Sequence, residues 1–153
     1  MVLRSIVLRA LAMSAPECTP AQNCIFCTIV NENDQSKIVY QDDDVVAFPD
    51  IKPAAENHYL IIPRTHLPNA KDLDSSHRSL VEHMIKVGND ILTEKNVDLS
   101  NSRLGFHWPP FNTIAHLHLH AIAPVDKMSF VSKLIFRPDS YWFVSSEYVL
   151  SRL

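Results

Sequence analysis

The stretch HLHLHAIAP, His116–Pro124, places three of the chain's eight histidines on alternate positions. Alternate side chains of a β-strand share a face. His116, His118 and His120 are therefore expected to point one way, with Leu117, Leu119 and Ala121 pointing the other way into a core. Successive same-face residues lie roughly 7 Å apart, so the pattern predicts a row of imidazoles on an otherwise buried strand. Such a row suits two chemistries. One is metal ligation by neutral imidazole, and the other is nucleophilic or acid–base catalysis.

The flanking sequence extends this into an α+β domain built on an antiparallel sheet of about five strands. TIAHLHLHAIAP, residues 113–124, reads as one strand, and RLGFHWP, residues 103–109, as the strand before it. KIVYQDDDVVAFPDI gives two short β runs, Ile38–Gln41 and Val45–Pro49, around a solvated acidic turn at Asp42–Asp44. HYLIIP, His58–Pro63, is an apolar run stopped by proline. Residues 72–96 predict the one long helix, with Asp74 or Ser75 as its cap. Leu80, Val81, Met84, Ile85, Ile91 and Leu92 recur there at the spacing of one face. CIFCTIV, residues 24–30, predicts a short helical turn. MSFVSKLIF, residues 128–136, fits helix or strand, and SYWFVSSEYVLSRL predicts a C-terminal helical segment.

Composition narrows the function classes. The chain has 153 residues, 46% hydrophobic and 20% charged, which suits one folded domain. Its net charge of −3 comes with no dense basic tract, which argues against a nucleic-acid partner. No apolar run approaches the length of a spanning helix, so no membrane partner is expected. Only Gly88 and Gly105 are glycines, which excludes glycine-rich phosphate loops. Three cysteines without a convincing secretory signal point to a reducing compartment. Residues 1–23 read as a flexible tail ahead of a domain spanning 24–153. Arg4 and Arg9, with no acid before Glu17, also fit a mitochondrial presequence. The expected location is the cytoplasm, with the nucleus accessible to so small a chain.

The complete pattern His-φ-His-φ-His-φ-φ, with φ apolar, resembles the histidine-triad superfamily of nucleotide hydrolases and transferases. FPDIKPAAENHYLIIPRTHL, Phe48–Leu67, is similar to that family's nucleoside-binding segment, and the likeness runs over about residues 24–150. Within the superfamily the chain resembles the Hint branch. The resemblance implies a HIT-like fold and a hydrolase that releases AMP from purine nucleoside phosphoramidates and aminoacyl-adenylates. His118 would be the nucleophile that becomes nucleotidylated. His120 would contact the phosphate, while His116 and His58 complete the network. Asp50 would accept the ribose hydroxyls, Ile51 would face the base, and Asn112 and Thr113 would contact phosphate. No cofactor is required for this catalysis, and a homodimer or higher homo-oligomer is expected.

Three departures and one further cluster bear on that reading. Gly105 stands where the family has an asparagine that helps hold phosphate, and Phe111 where a glycine is common. The family's Trp-Pro-Pro-Gly carboxyl end is missing, which leaves selection of the leaving group open. CIFC, Cys24–Cys27, has the spacing of half a metal site. The resemblance completes it with His66 and His116 as a structural zinc site, the alternative being two reduced thiols. A catalytically weak adenine-nucleotide-binding or zinc-stabilised scaffold protein and a dinucleoside polyphosphate hydrolase are the rival functions. His77, His83 and His107 are expected to be solvated or locally bonded.

Overall fold

A computed structural model describes residues 23–32 and 37–153 of the chain. Of the expected tail, residues 1–23, all but Asn23 lie outside the described residues, as does the expected presequence. Six strands form one antiparallel sheet: β1 Tyr40–Gln41, β2 Val45–Pro49, β3 Asn57–Pro63, β4 Arg103–His107, β5 Leu119–Ala123 and β6 Phe143–Ser145. Their spatial order is β1-β2-β3-β5-β4-β6. Among the described residues, four α-helices accompany the sheet: α1 Ile25–Glu32, α2 Arg78–Glu94, α3 Phe130–Ile135 and α4 Ser146–Arg152.

The sheet is covered on both faces, which explains why β3 is a nearly unbroken apolar run. On one face Val45, Ala47, Ile61, Leu119 and Ala121 pack with Val81, Met84, Val87 and Ile91 of α2. On the other, Val46, Phe48, Leu60 and Ile62 pack with Phe26 and Val30 of α1. Beside that second cluster, Ile122 packs with Met128, Phe136 and Phe143. Asp74 caps the helical turn that leads into α2, its side chain accepting from Ser76 N–H, as its sequence position predicts. The other end of α2 is closed by Asn96 in the left-handed region, φ 57°. Asn96 N–H bonds to Thr93 O and Val97 N–H to Leu92 O, so two terminal carbonyls are satisfied.

Two expectations about the sheet change. The sheet has six strands rather than about five, because the three-residue β6 pairs on β4, joining Gly105 to Ser145 and His107 to Phe143. Three residues are too few to carry a period, so SYWFVSS gave no strand signal. The histidine strand is also shorter than its alternation suggests: the ladder covers only Leu119–Ala123. Pro63 ends β3 and has no N–H to offer a longer ladder. Leu117 N–H turns instead to Leu67 O at 2.6 Å. Facial alternation nevertheless persists through the irregular part. Leu117 and Leu119 join the α2 core, and the histidines lie on the α1 side, where Phe26 meets the rings of His116 and His118.

The acidic turn is more than a solvated loop. Asp42 Oδ1 accepts from Asp44 N–H and Val45 N–H, and Oδ2 accepts from Tyr40 and meets His83 Nε2 of α2 at 2.6 Å. Burial works against this carboxylate, but those backbone and side-chain donors outweigh it and hold its pKa at about 2.

Candidate functional site

The register of the central strands builds the site. Residues paired directly across an antiparallel ladder share a face. His120 pairs with Leu60 on one side and Gly105 on the other, and His58 pairs with Ile122. His58, His120 and the position of Gly105 therefore share the α1 face. Asp50 follows β2 and meets them, with Oδ2 at 3.4 Å from His58 Nε2 and 4.0 Å from His120 Nδ1.

The hydrogen bonds fix every tautomer in this group. Ala54 N–H donates to His58 Nδ1 at 3.0 Å, so His58 carries its proton on Nε2. His58 Nε2–H donates to His120 Nδ1 at 2.9 Å, which puts the His120 proton on Nε2. That Nε2–H is buried and has no partner among the described residues. His118 Nδ1–H donates to the carbonyl of His116 at 2.7 Å, so His118 Nε2 is a free lone pair. The rings of His118 and His120 stand 5.0 Å apart, centroid to centroid. An unprotonated ring nitrogen and an unspent N–H donor thus belong to neighbouring rings.

Burial keeps these rings neutral. It pushes the His58, His107, His118 and His120 pKa values below the ordinary histidine value, and neighbouring imidazoles add to the effect at His58 and His120. His116 falls to about 4 for the same leading reason. Between that level and the ordinary value near 6.5 the unfolded chain binds more protons than the folded one, so stability falls as pH falls. Thermal unfolding should show a midpoint that is flat from pH 8 to 7 and drops steeply from about pH 6.5 toward 4. A constant midpoint down to pH 5 contradicts the buried neutral cluster.

Cys24, Cys27, His66 and His116 form a second group, with one ligand atom from each within 4.8 Å of the others. His116 Nε2–H donates to Pro63 O at 2.9 Å, leaving Nδ1 unprotonated. Nδ1 lies 3.5 Å from Cys24 Sγ and 3.6 Å from Cys27 Sγ, and His66 Nδ1 lies 3.2 Å from Cys27 Sγ. The His116 ring therefore faces the thiols, while its carbonyl orients His118. His116 belongs to both groups through different atoms.

The remaining expected residues are less closely gathered. Ile51 is 87% exposed next to Asp50. Asn112 is half-buried in a narrow cleft with His107, His116 and His118. Thr113 is exposed. A larger cavity of about 530 Å³, lined by Asn89, Arg103 and Ser146 among others, contains none of the histidines. Sequence reasoning missed three site residues. Phe26 of α1 walls His118 at 5.3 Å. Phe136 packs on His58, His107 and His120 at 5.1–5.3 Å. His107, expected to be solvated or locally bonded, sets its ring 4.9 Å from His120. Only its even spacing from Gly105 along β4 could have placed it on this face.

The scavenger mRNA decapping enzyme C-terminal binding family matches residues 23–135. Adenosine 5'-monophosphoramidase HINT3 of Xenopus tropicalis is 43% identical over 133 residues, covering 86% of this chain and 87% of that protein. The chain belongs to the histidine triad family. HINT3 of Mus musculus is 45% identical over 134 residues, 86% of this chain and 81% of the mouse protein. Among solved structures, a HIT family hydrolase from Clostridium thermocellum superposes with a TM-score of 0.65 at 32% identity, covering 73% of this chain and 99% of that one. The HIT-like fold and the Hint relationship expected from the triad are both upheld.

Proposed function

We propose that this protein is a nucleoside 5'-monophosphoramidase that hydrolyses purine nucleoside phosphoramidates and aminoacyl-adenylates to AMP. One observation carries the reading: the His118 ring, held with Nε2 unprotonated, neighbours the His120 ring, whose Nε2–H has no partner among the described residues. The names of its histidine triad relatives support the same class. His118 Nε2 attacks the α-phosphorus and forms an N–P bond. In a phosphoramidate the P–N bond breaks and the amine departs with that electron pair and a proton from solvent water; in an aminoacyl-adenylate the P–O bond breaks and the carboxylate departs with the pair. Water then attacks phosphorus, AMP leaves, and His118 is restored. His120 Nε2–H stabilises the charge developing on a phosphate oxygen. His58, anchored by Ala54 N–H, holds His120 in the donor tautomer. Asp50 supplies an acceptor for the ribose, Ile51 an apolar face for the base, and Asn112 and Thr113 polar groups for the phosphate. This chemistry uses no cofactor.

The reading is tested by offering the purified protein an AMP phosphoramidate, an aminoacyl-adenylate and a diadenosine polyphosphate. Faster turnover of the first two supports it, and preference for the polyphosphate overturns it.

Cys24, Cys27, His66 and His116 would hold a structural zinc ion. Two thiols and two imidazoles match a tetrahedral zinc donor set, and the Pro63 carbonyl already fixes His116 in the ligating tautomer. The ion would fasten α1 to the loop that carries His118. Elemental analysis should find one zinc per chain, lost in Cys24→Ala, with chelation lowering the melting temperature by roughly 10 °C or more. Metal-free protein of unchanged stability excludes the site. The protein is further read as a cytoplasmic or nuclear homodimer or higher homo-oligomer, with mitochondrial targeting by the tail as the alternative address.

A further inference from the structure

We infer that His107 is a phosphate-contacting residue whose Nε2 donates to an oxygen of the bound nucleotide, the ring gaining a proton when the nucleotide arrives. The inference rests on the phosphate site proposed above. β4 offers three side-chain positions to the histidine face: Arg103, Gly105 and His107. Arg103 donates from Nη1 to the carbonyl of Phe136 at 2.7 Å. Gly105 has no room for a side chain, since a Cβ there would meet the Val144 carbonyl and come within 2.6 Å of the Phe143 ring. His107 is thus the β4 side chain that reaches the cluster, edge-on to His120 at 85°.

Its tautomer is fixed by a partner that can only accept. His107 Nδ1–H donates to Trp142 O at 3.2 Å, so Nε2 bears the lone pair. A lone pair repels a phosphate oxygen, whereas a protonated Nε2 makes a charge-assisted hydrogen bond to it. Several groups face or influence the ring. His118 and His120 lie on one side, His58 and Asp50 lie beyond, and Phe136, Phe143 and the Trp142 carbonyl pack against it. Burial outweighs the opposing pull of the Trp142 carbonyl and of Asp50 and keeps the ring neutral until an anion arrives. His107 is half-buried, whereas His118 and His120 are buried. It is therefore the ring in this set with the readiest access to a proton from solvent. It would supply the polar phosphate contact that Gly105 does not.

The test is calorimetry of AMP binding to the full chain at pH 7.5 and 8.5, in two buffers of different ionisation heat. The wild type should take up close to one proton more per AMP than His107→Gln, and its affinity should weaken with rising pH while that of His107→Gln stays flatter. His107→Ala should bind AMP about tenfold more weakly at pH 7.5, with the glutamine variant recovering part of the loss. Equal proton uptake and equal pH slopes in wild type and His107→Gln overturn the inference. So does a wild type that binds AMP without taking up protons, whatever the folding of the variants. AMP binding with the His107 linkage but no phosphoramidate turnover defeats the proposed reaction alone. Turnover without the linkage defeats the role of His107 alone, and a wild type that fails to bind AMP defeats both.

Discussion

His118→Ala is expected to lower phosphoramidate turnover by at least about 10⁴-fold while leaving the fold and AMP binding largely in place. Removing a nucleophile removes the covalent route, and losses of this size are usual when such a group is deleted. The neighbouring groups survive the change. His58 still donates to His120, and Ala54 still holds His58. The bonded partner left behind is the His116 carbonyl, which water can reach once the ring is gone. Turnover within tenfold of the wild type would assign the nucleophile elsewhere. A parallel loss in stability would show that the substitution had acted through packing instead.

Replacing Gly105 with asparagine should cost the protein about 3 kcal/mol of stability rather than improve its phosphate binding. The family resemblance makes asparagine look like a repair, but the geometry forbids it. The β4–β6 pairing brings the Val144 carbonyl and the Phe143 ring onto the space a Cβ would fill, the ring within 2.6 Å. Neither obstacle is the loose end of a flexible side chain. Phe143 is fully buried against Ile122 and Phe136, and Val144 O belongs to the strand backbone. Either β6 separates from β4 or the Phe143 ring moves into the histidine cluster. A melting temperature roughly 10 °C lower is the expected readout. An unchanged melt with tighter AMP binding would mean that β6 is only loosely held.

These expectations show which parts of the molecule could be read from the chain. Period and punctuation were enough for α2, for β2 and β3 as strands, and for the separation of leucine and histidine faces. They act locally, through alternation and caps such as Asp74. The family resemblance, rather than period or spacing, supplied His58 as a partner of the triad and His66 and His116 as partners of Cys24 and Cys27, and the structure gathers both sets, with Asp50 beside His58 and His120. Other features depend on contacts distant in sequence. β6 exists because β4 has an edge to pair with, and nothing within Phe143–Ser145 announces it. The histidine strand stops at Leu119 because Pro63, far upstream, ends its neighbour. Phe136 joins the site because the segment after β5 folds back onto the histidine rings, which no periodicity encodes, whereas His107 shares the histidine face only through its even spacing from Gly105 on β4. The glycine at 105 was visible as a departure, yet its cause, the Phe143 ring, lies on β6.

The central claim is that His118 Nε2 forms a bond to phosphorus. It is tested most directly by rapidly quenching the protein during turnover of an AMP phosphoramidate and mapping the adduct by mass spectrometry. The account predicts AMP attached to His118, appearing before product and missing in His118→Ala. Steady turnover with no adduct on His118, or with AMP on another residue, would contradict it.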